Sequence, residues 1–226
     1  MDIVARLRGS LVVSCQAGPD EPLHGLGMMA GMARAAVQGG ARGIRSESVS
    51  DIRAIREAVD VPVIGLIKRS VPGSSVYITP TFDDAAAAVA AGAHLVALDA
   101  TTLVRPDGLT LEQTIRRLRD ELHVPVMADV STLEEGLAAA KAGAACIGTT
   151  LSGYTPQSPK LEGPDWDLLE ALVAATPVPV ILEGRVWEPA EVTRAFRLGA
   201  FAVVVGSAIT RPQLVTARFA AAIPKE

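Results

Sequence analysis

Two short phrases alternate along this chain and restrict its fold more than any other feature. Val-Pro-Val opens an apolar run at Val61, Val124 and Val178, giving VPVIGLIK, VPVMADVS and VPVILEGR. Gly-Ala falls at Gly40, Gly92, Gly143 and Gly199, each time after a helix-like stretch and before another apolar run. Those runs are ARGIRSE, AHLVALDAT, AACIGTT and AFAVVVGS. The Gly-Ala spacings of 52, 51 and 56 residues fit a repeated module of two strands and two helices. Proline opens a strand where a missing N–H costs least. Glycine is the usual residue just past a helix C-terminus. Runs this apolar read as strands buried on both faces, and therefore parallel.

With Leu11 to Gln16 as the first, the strands number eight. Helical spacing fills the gaps: Asp51 to Val59, Leu111 to Leu122, Leu133 to Ala142, Trp166 to Ala174, Glu188 to Leu198 and Pro212 to Ile223. The expected fold is α/β, a single-domain (β/α)8 TIM barrel over residues 1–226. A doubly wound open sheet is the competitor, but it needs fewer strands and leaves the four-fold repeat unexplained. Two excursions stand out. Arg69 to Val76 follows strand three, and Leu151 to Pro164, with three prolines and two glycines, reads as a lid after strand six.

Composition narrows the partners. The chain is 49% hydrophobic but 4% aromatic, so its core is aliphatic. A net charge of -4 gives no global positive field for nucleic acid or an anionic membrane. Cys15 and Cys146 lie in apolar runs without metal spacing and read as buried free thiols in a reducing cytoplasm. The opening MDIVARLRGSLVVSC does not read as a signal peptide. Leu26, Met28, Met29 and Met32 form an apolar stretch suited to core packing or a subunit contact.

In a barrel, polar residues at the carboxyl ends of strands are the functional candidates. In order they are Gln16, Arg45, Lys68, Asp99, Asp129, Thr149 with Thr150, Glu183 with Arg185, and Gly206 with Ser207. Lys68 and Glu183 are expected to work opposite one another in proton transfer. A lysine beside Arg45 in a dry mouth has its ammonium disfavoured, and an ionised Glu183 acts against that shift. Asp129 is expected to orient a lysine. Asp99 binds a sugar hydroxyl, buttresses Lys68 or caps the turn that follows it. Loops seven and eight are where many barrels hold a phosphate on backbone N–H groups. Here they begin Gly184-Arg185 and Gly206-Ser207, with Arg211 supplying charge and Pro212 opening a helix. His94 and His123 precede strands at the opposite face, and His24 lies in the first loop. No metal site and no metal cofactor are expected.

The ordered set of motifs resembles the N-acetylmannosamine-6-phosphate 2-epimerase family over nearly the whole chain. SCQA at Ser14, GIR at Gly43, GLIKR at Gly65, VYITPT at Val76 and ALDAT at Ala97 carry it, as do ADVST at Ala128, LSGYT at Leu151, EGR at Glu183 and AITRP at Ala208. The resemblance implies interconversion of N-acetylmannosamine 6-phosphate and N-acetylglucosamine 6-phosphate, in sialic-acid and amino-sugar catabolism. It implies a barrel without metal or redox cofactor, a sugar-phosphate ligand, and a homodimer. It gives Lys68 and Glu183 as the catalytic pair. Gln16, Arg45 and Asp129 match substrate-site positions, and Gly184, Gly206, Ser207 and Arg211 match the phosphate end, with Arg185 beside them. Ser207 stands where glycine is expected, and Ser46-Glu47-Ser48 departs from the small polar continuation expected after Arg45. Two alternatives stay open on the residues. One is a Schiff-base aldolase or lyase with Lys68 as the covalent amine. The other is a sugar-phosphate sensor without catalysis.

Overall fold

The computed structural model describes residues 2–25 and 27–224, so Leu26 of the apolar stretch lies outside the described residues. Eight parallel strands close in chain order: β1 (Ser10–Cys15), β2 (Gly43–Glu47), β3 (Val63–Leu66), β4 (Leu95–Asp99), β5 (Val126–Asp129), β6 (Cys146–Gly148), β7 (Val180–Glu183) and β8 (Ala202–Val205). The expected barrel is what forms. Around it lie α1 (Met28–Gln38), α2 (Val49–Ala58), α3 (Phe82–Ala90), α4 (Leu111–Leu122), α5 (Leu133–Ala142), α6 (Trp166–Ala175), α7 (Pro189–Arg197), the short α8 (Ser207–Thr210) and α9 (Pro212–Ala221).

Each repeated phrase has a structural cause. The four Gly-Ala pairs end α1, α3, α5 and α7 in one geometry. Gly40, Gly92, Gly143 and Gly199 have φ between 93° and 104°, the left-handed region. The alanine after each donates its N–H to the carbonyl five residues back: Ala41 to Ala36, Ala93 to Ala88, Ala144 to Ala139, Ala200 to Ala195. This is the Schellman termination, which satisfies carbonyls the helix leaves open. The prolines serve the sheet as acceptors. Pro62, Pro125 and Pro179 take the N–H of Ile44, Val96 and Ile147 on the preceding strand. A residue with no N–H therefore loses nothing there.

Side-chain parity sets the two cores. Residues alternate across a strand, so every second one faces the barrel axis. The inner core holds Val12, Ile64, Leu66, Leu95, Ala97, Met127, Cys146, Ile181, Ala202 and Val204. A 3-10 turn at Ala5–Leu7 plugs the amino-terminal end with Leu7. The outer core packs the opposite parity, with Val13, Ile44, Val63, Val96, Ala128, Ile147, Leu182 and Val203 against the helices. Each inward row ends in a polar residue or glycine at the carboxyl end: Gln16, Glu47, Lys68, Asp99, Asp129, Thr150, Glu183 and Gly206.

Helix boundaries follow local capping. α2 begins before the expected Asp51 because Ser48 accepts the Asp51 N–H on its hydroxyl. Capping boxes open α3, α4 and α5 at Thr81, Thr110 and Thr132. α9 is exceptional in burying none of its residues, and Leu214, Phe219 and, beyond its end, Ile223 are exposed. Among the described residues no helix is long and apolar enough to cross a membrane.

Candidate active site

A cavity of about 510 Å³ opens at the carboxyl ends of the strands. Ser14, Gln16, Arg45, Lys68, Thr150 and Glu183 line its floor and sides. Gly184, Arg185, Gly206, Ser207 and Arg211 line the edge at β7 and β8. Nine of the ten expected site residues therefore face one space. Asp129 is the tenth; it is fully buried beneath the floor and does not line the cavity.

Asp129 works through Arg45. The Arg45 guanidinium is 1% exposed and forks onto Asp129, with Nη2 to Oδ2 at 2.5 Å and Nη1 to Oδ1 at 3.2 Å. The partner of Asp129 is thus an arginine rather than the expected lysine, because Arg45 and Asp129 both point inward and meet across the floor. Arg45 Nε lies 3.2 Å from Glu183 Oε1 yet has no hydrogen-bond partner among the described residues. The distance gives a Coulombic attraction, while the angle leaves the N–H free for another acceptor. Burial opposes the charge on Arg45, but the fields of Asp129 and then Glu183 outweigh it and hold the group above its ordinary value.

Glu183 ends β7 and is fixed through its backbone. The Thr149 hydroxyl accepts from the Glu183 N–H at 3.0 Å and donates to its carbonyl at 2.9 Å. The Thr150 hydroxyl lies 2.7 Å from Asp129 Oδ1 and 3.1 Å from Glu183 Oε2, linking the two carboxyl groups. Burial pushes the Glu183 carboxyl up to about 7; Arg45 opposes this, Asp129 adds to it, and Thr150 and Lys68 oppose it.

Lys68 stands just past β3, with its side chain 35% exposed. Burial lowers its pKa, Glu47 opposes that, Arg45 lowers it further, Glu183 opposes and Arg211 lowers. The amine and the carboxyl of Glu183 are thereby pushed toward each other in proton affinity. The ion pair of Lys68 among the described residues is with Glu47, at 3.6 Å, and not with Glu183. Gln16 donates to Ser14 Oγ at 2.8 Å and keeps a buried amide oxygen at the cavity wall without a partner among the described residues. Asp99 takes the turn-capping role, accepting from the Thr101 N–H and hydroxyl.

The edge at β7 and β8 has its own logic. Gly184 and Arg185 are both left-handed, with φ of 118° and 57°, and turn Arg185 back over the loop after β6. Its Nε donates to Gly163 O at 2.7 Å and its Nη1 to Ser152 O at 2.6 Å. The lid expected at Leu151 to Pro164 is thus tied down by Arg185, and by Thr155 donating to Ser131 Oγ at 2.8 Å. After β8, the N–H groups of Ser207 and Ala208 begin α8, where no preceding turn supplies carbonyls. Arg211 forks onto Glu21, with Nε to Oε2 at 2.9 Å and Nη2 to Oε1 at 2.7 Å, and its Nη1 donates to Ser207 Oγ at 3.1 Å. The serine that replaces the expected glycine is therefore oriented by Arg211.

Three participants were not singled out in the sequence. Glu47 was legible by parity, two residues after Arg45 on one strand face. Glu21 reaches Arg211 from the loop after β1, a contact no local pattern encodes. Tyr77 reaches the cavity because the excursion after β3 returns antiparallel, with the Thr79 N–H donating to Ile67 O and the Arg69 N–H to Tyr77 O.

Fold and site define a (β/α)8-barrel protein with an amine and a carboxyl sharing one cavity beside a glycine-lined cationic edge. The family whose sequence model matches residues 29–225 is described as "Putative N-acetylmannosamine-6-phosphate epimerase". The chain belongs to that family. It is 50% identical over 220 residues to a protein of Caldanaerobacter subterraneus subsp. tengcongensis, covering 97% of this chain and 93% of that one. It is 50% identical over 219 residues to one of Cutibacterium acnes, covering 96% and 95%. Both are named "Putative N-acetylmannosamine-6-phosphate 2-epimerase". The solved N-acetylmannosamine-6-phosphate 2-epimerase of Clostridium perfringens superposes with a TM-score of 0.96 at 44% identity, over 99% of this chain and 97% of that one. A thiamine phosphate pyrophosphorylase of Pyrococcus furiosus, at TM-score 0.62 and 19% identity, shares the fold alone.

Proposed function

We propose that this protein is an isomerase interconverting N-acetylmannosamine 6-phosphate and N-acetylglucosamine 6-phosphate, working in the cytoplasm in amino-sugar and sialic-acid catabolism. One observation carries the reading: Lys68 and Glu183 line one cavity with their proton affinities drawn together. The two sugars differ in configuration at C2. In the open-chain form C2 lies beside the C1 aldehyde, so its proton is acidic and the resulting charge spreads onto the carbonyl oxygen. One of Lys68 and Glu183 removes that proton and the other returns one to the opposite face. Arg45, fixed by Asp129 and with its Nε free, stabilises the enolate oxygen. Gln16 offers its free amide oxygen to a sugar hydroxyl or the acetamido N–H. Gly184, Gly206, Ser207 and Arg211 receive the 6-phosphate, and Arg185 shapes that edge through the loop it holds. The exposed apolar residues of α9 support a homodimer.

The test is proton NMR of N-acetylmannosamine 6-phosphate with the protein in deuterated buffer. The expected result is conversion to N-acetylglucosamine 6-phosphate with deuterium entering C2. No conversion, or conversion without exchange, overturns the reading. Lys68→Met is expected to lower kcat by about 10²–10⁴-fold. Borohydride with substrate is expected to trap no adduct, which separates this chemistry from a Schiff-base lyase.

A further inference from the structure

Glu47 stands against Lys68 beside the cavity, and the proposed reaction gives it no role. It ends β2, pairs in register with Leu66, and so stands beside the chain that leads to Lys68. It shares the inward face of its strand with Arg45 and is 8% exposed. Its Oε2 lies 3.6 Å from Lys68 Nζ. That separation gives Coulombic attraction but exceeds hydrogen-bond reach, so Lys68 can leave Glu47 without breaking a directed bond. Glu183, the carboxylate that lines the cavity, is engaged by Arg45 and Thr150.

We propose that Glu47 is a positioning residue for Lys68, holding the ammonium against the β2 wall between turnovers and setting the proton affinity with which it enters the reaction. The proposal rests on Lys68 being the catalytic amine, as argued above. The charged and titratable groups around Lys68 come from four sides. Arg45 and Glu47 stand on β2, Glu183 ends β7, Arg211 follows α8, and Tyr77 lines the cavity from the returning loop after β3. Arg45 and Arg211 disfavour the ammonium and Glu183 favours it from a distance, while Glu47 is the anion in contact. Burial is the largest influence against the ammonium, and the carboxylate of Glu47 is the largest in its favour. Without Glu47, burial, Arg45 and Arg211 are opposed by Glu183 alone, and Lys68 releases its proton at lower pH.

The chain has four lysines, Lys68, Lys141, Lys160 and Lys225, which makes a direct titration practical. Lysine labelled with carbon-13 at Cε gives one signal for each, and Lys68→Met identifies the signal of interest. Glu47→Gln is expected to lower the Lys68 pKa by about one unit, a ten-fold rise in the neutral fraction at a fixed pH below both values. Glu47→Asp, which keeps the charge, brings the signal back toward the wild-type position. The limb of the pH profile of kcat/KM that follows Lys68 moves by the same amount as the signal. Should Glu47→Gln not fold, Glu47→Ala removes the same charge without adding bulk. An unmoved Lys68 titration in a folded neutral variant overturns the proposal, whatever the activity. A moved titration in a protein that does not epimerise the sugar phosphate upholds the Glu47–Lys68 coupling and overturns the proposed function instead.

Discussion

On β2, Arg45 and Glu47 stand two residues apart and so face the same way, each toward a different working group. Arg45 binds Asp129 below and attracts Glu183, while Glu47 holds Lys68 above. Burial pushes the Glu183 carboxyl far above the usual range, to about 7, against the opposing field of Arg45. In the unfolded chain the same group titrates near its ordinary value of 4.5. Between those two values the folded protein holds a proton that the unfolded chain has released. The contribution of Glu183 to stability is therefore full below about 4.5, falls as pH rises toward 7, and is flat above. Glu183→Gln removes that decline. It is expected to lower kcat by about 10²–10⁴-fold while raising stability at pH 8 by about 1–3 kcal/mol relative to wild type. Urea unfolding at pH 5 and pH 8 checks this, and an equal effect of the substitution at both values would refute it. Lys68 and Glu183 were legible because they close strongly apolar runs, and Arg45 because it is a charge inside the strand-like run after the first Gly-Ala stop. Tyr77 and Glu21 were not, because a loop's return path is set by contacts far away in sequence.

Among the elements, α5 shows how glycine is used where a helix former would be expected. Gly136 is buried in the middle of that helix, where glycine costs about 1 kcal/mol relative to alanine. A β-carbon there would fall on the Leu172 side chain of α6. Propensity thus gives way to the close approach of two neighbouring helices. Gly136→Ala is expected to destabilise the protein by about 1–3 kcal/mol, the cost of overpacking exceeding the gain in propensity. Chemical denaturation measures it, and a stabilised variant would show that the α5–α6 spacing yields freely. α4 was read to its observed boundaries because Leu111, Ile115, Leu118 and Leu122 mark one apolar face plainly. α1 and α3 are rich in alanine, which blurs the helical period, and only the Gly-Ala stops marked their ends.

At the scale of the whole molecule, the barrel buries all but three of its strand residues, Leu11, Ser14 and Glu183, and leaves its last helix uncovered. Phe219 and Ile223 are 76% and 69% exposed, and no residue of α9 is buried. Exposed large apolar groups gathered on one element are a feature of association surfaces. Phe219→Glu combined with Ile223→Glu is expected to shift sedimentation from two chains to one. A wild-type protein that sediments as a single chain would remove the homodimer.

The sequence by itself determined the barrel. A four-fold alternation of helix stops and strand starts is a local code, written by residues that need left-handed φ or lack an N–H, and it survives without knowledge of any distant contact. It also placed the ring of polar residues, because period-two alternation decides which side chains face the axis. The tertiary structure alone decided who pairs with whom. Asp129 holds Arg45 instead of a lysine, Lys68 leans on Glu47 instead of Glu183, and Arg185 clamps a loop. These are distances across a closed barrel, set by strand register and curvature, and residues far apart in the chain carry no local signal of them.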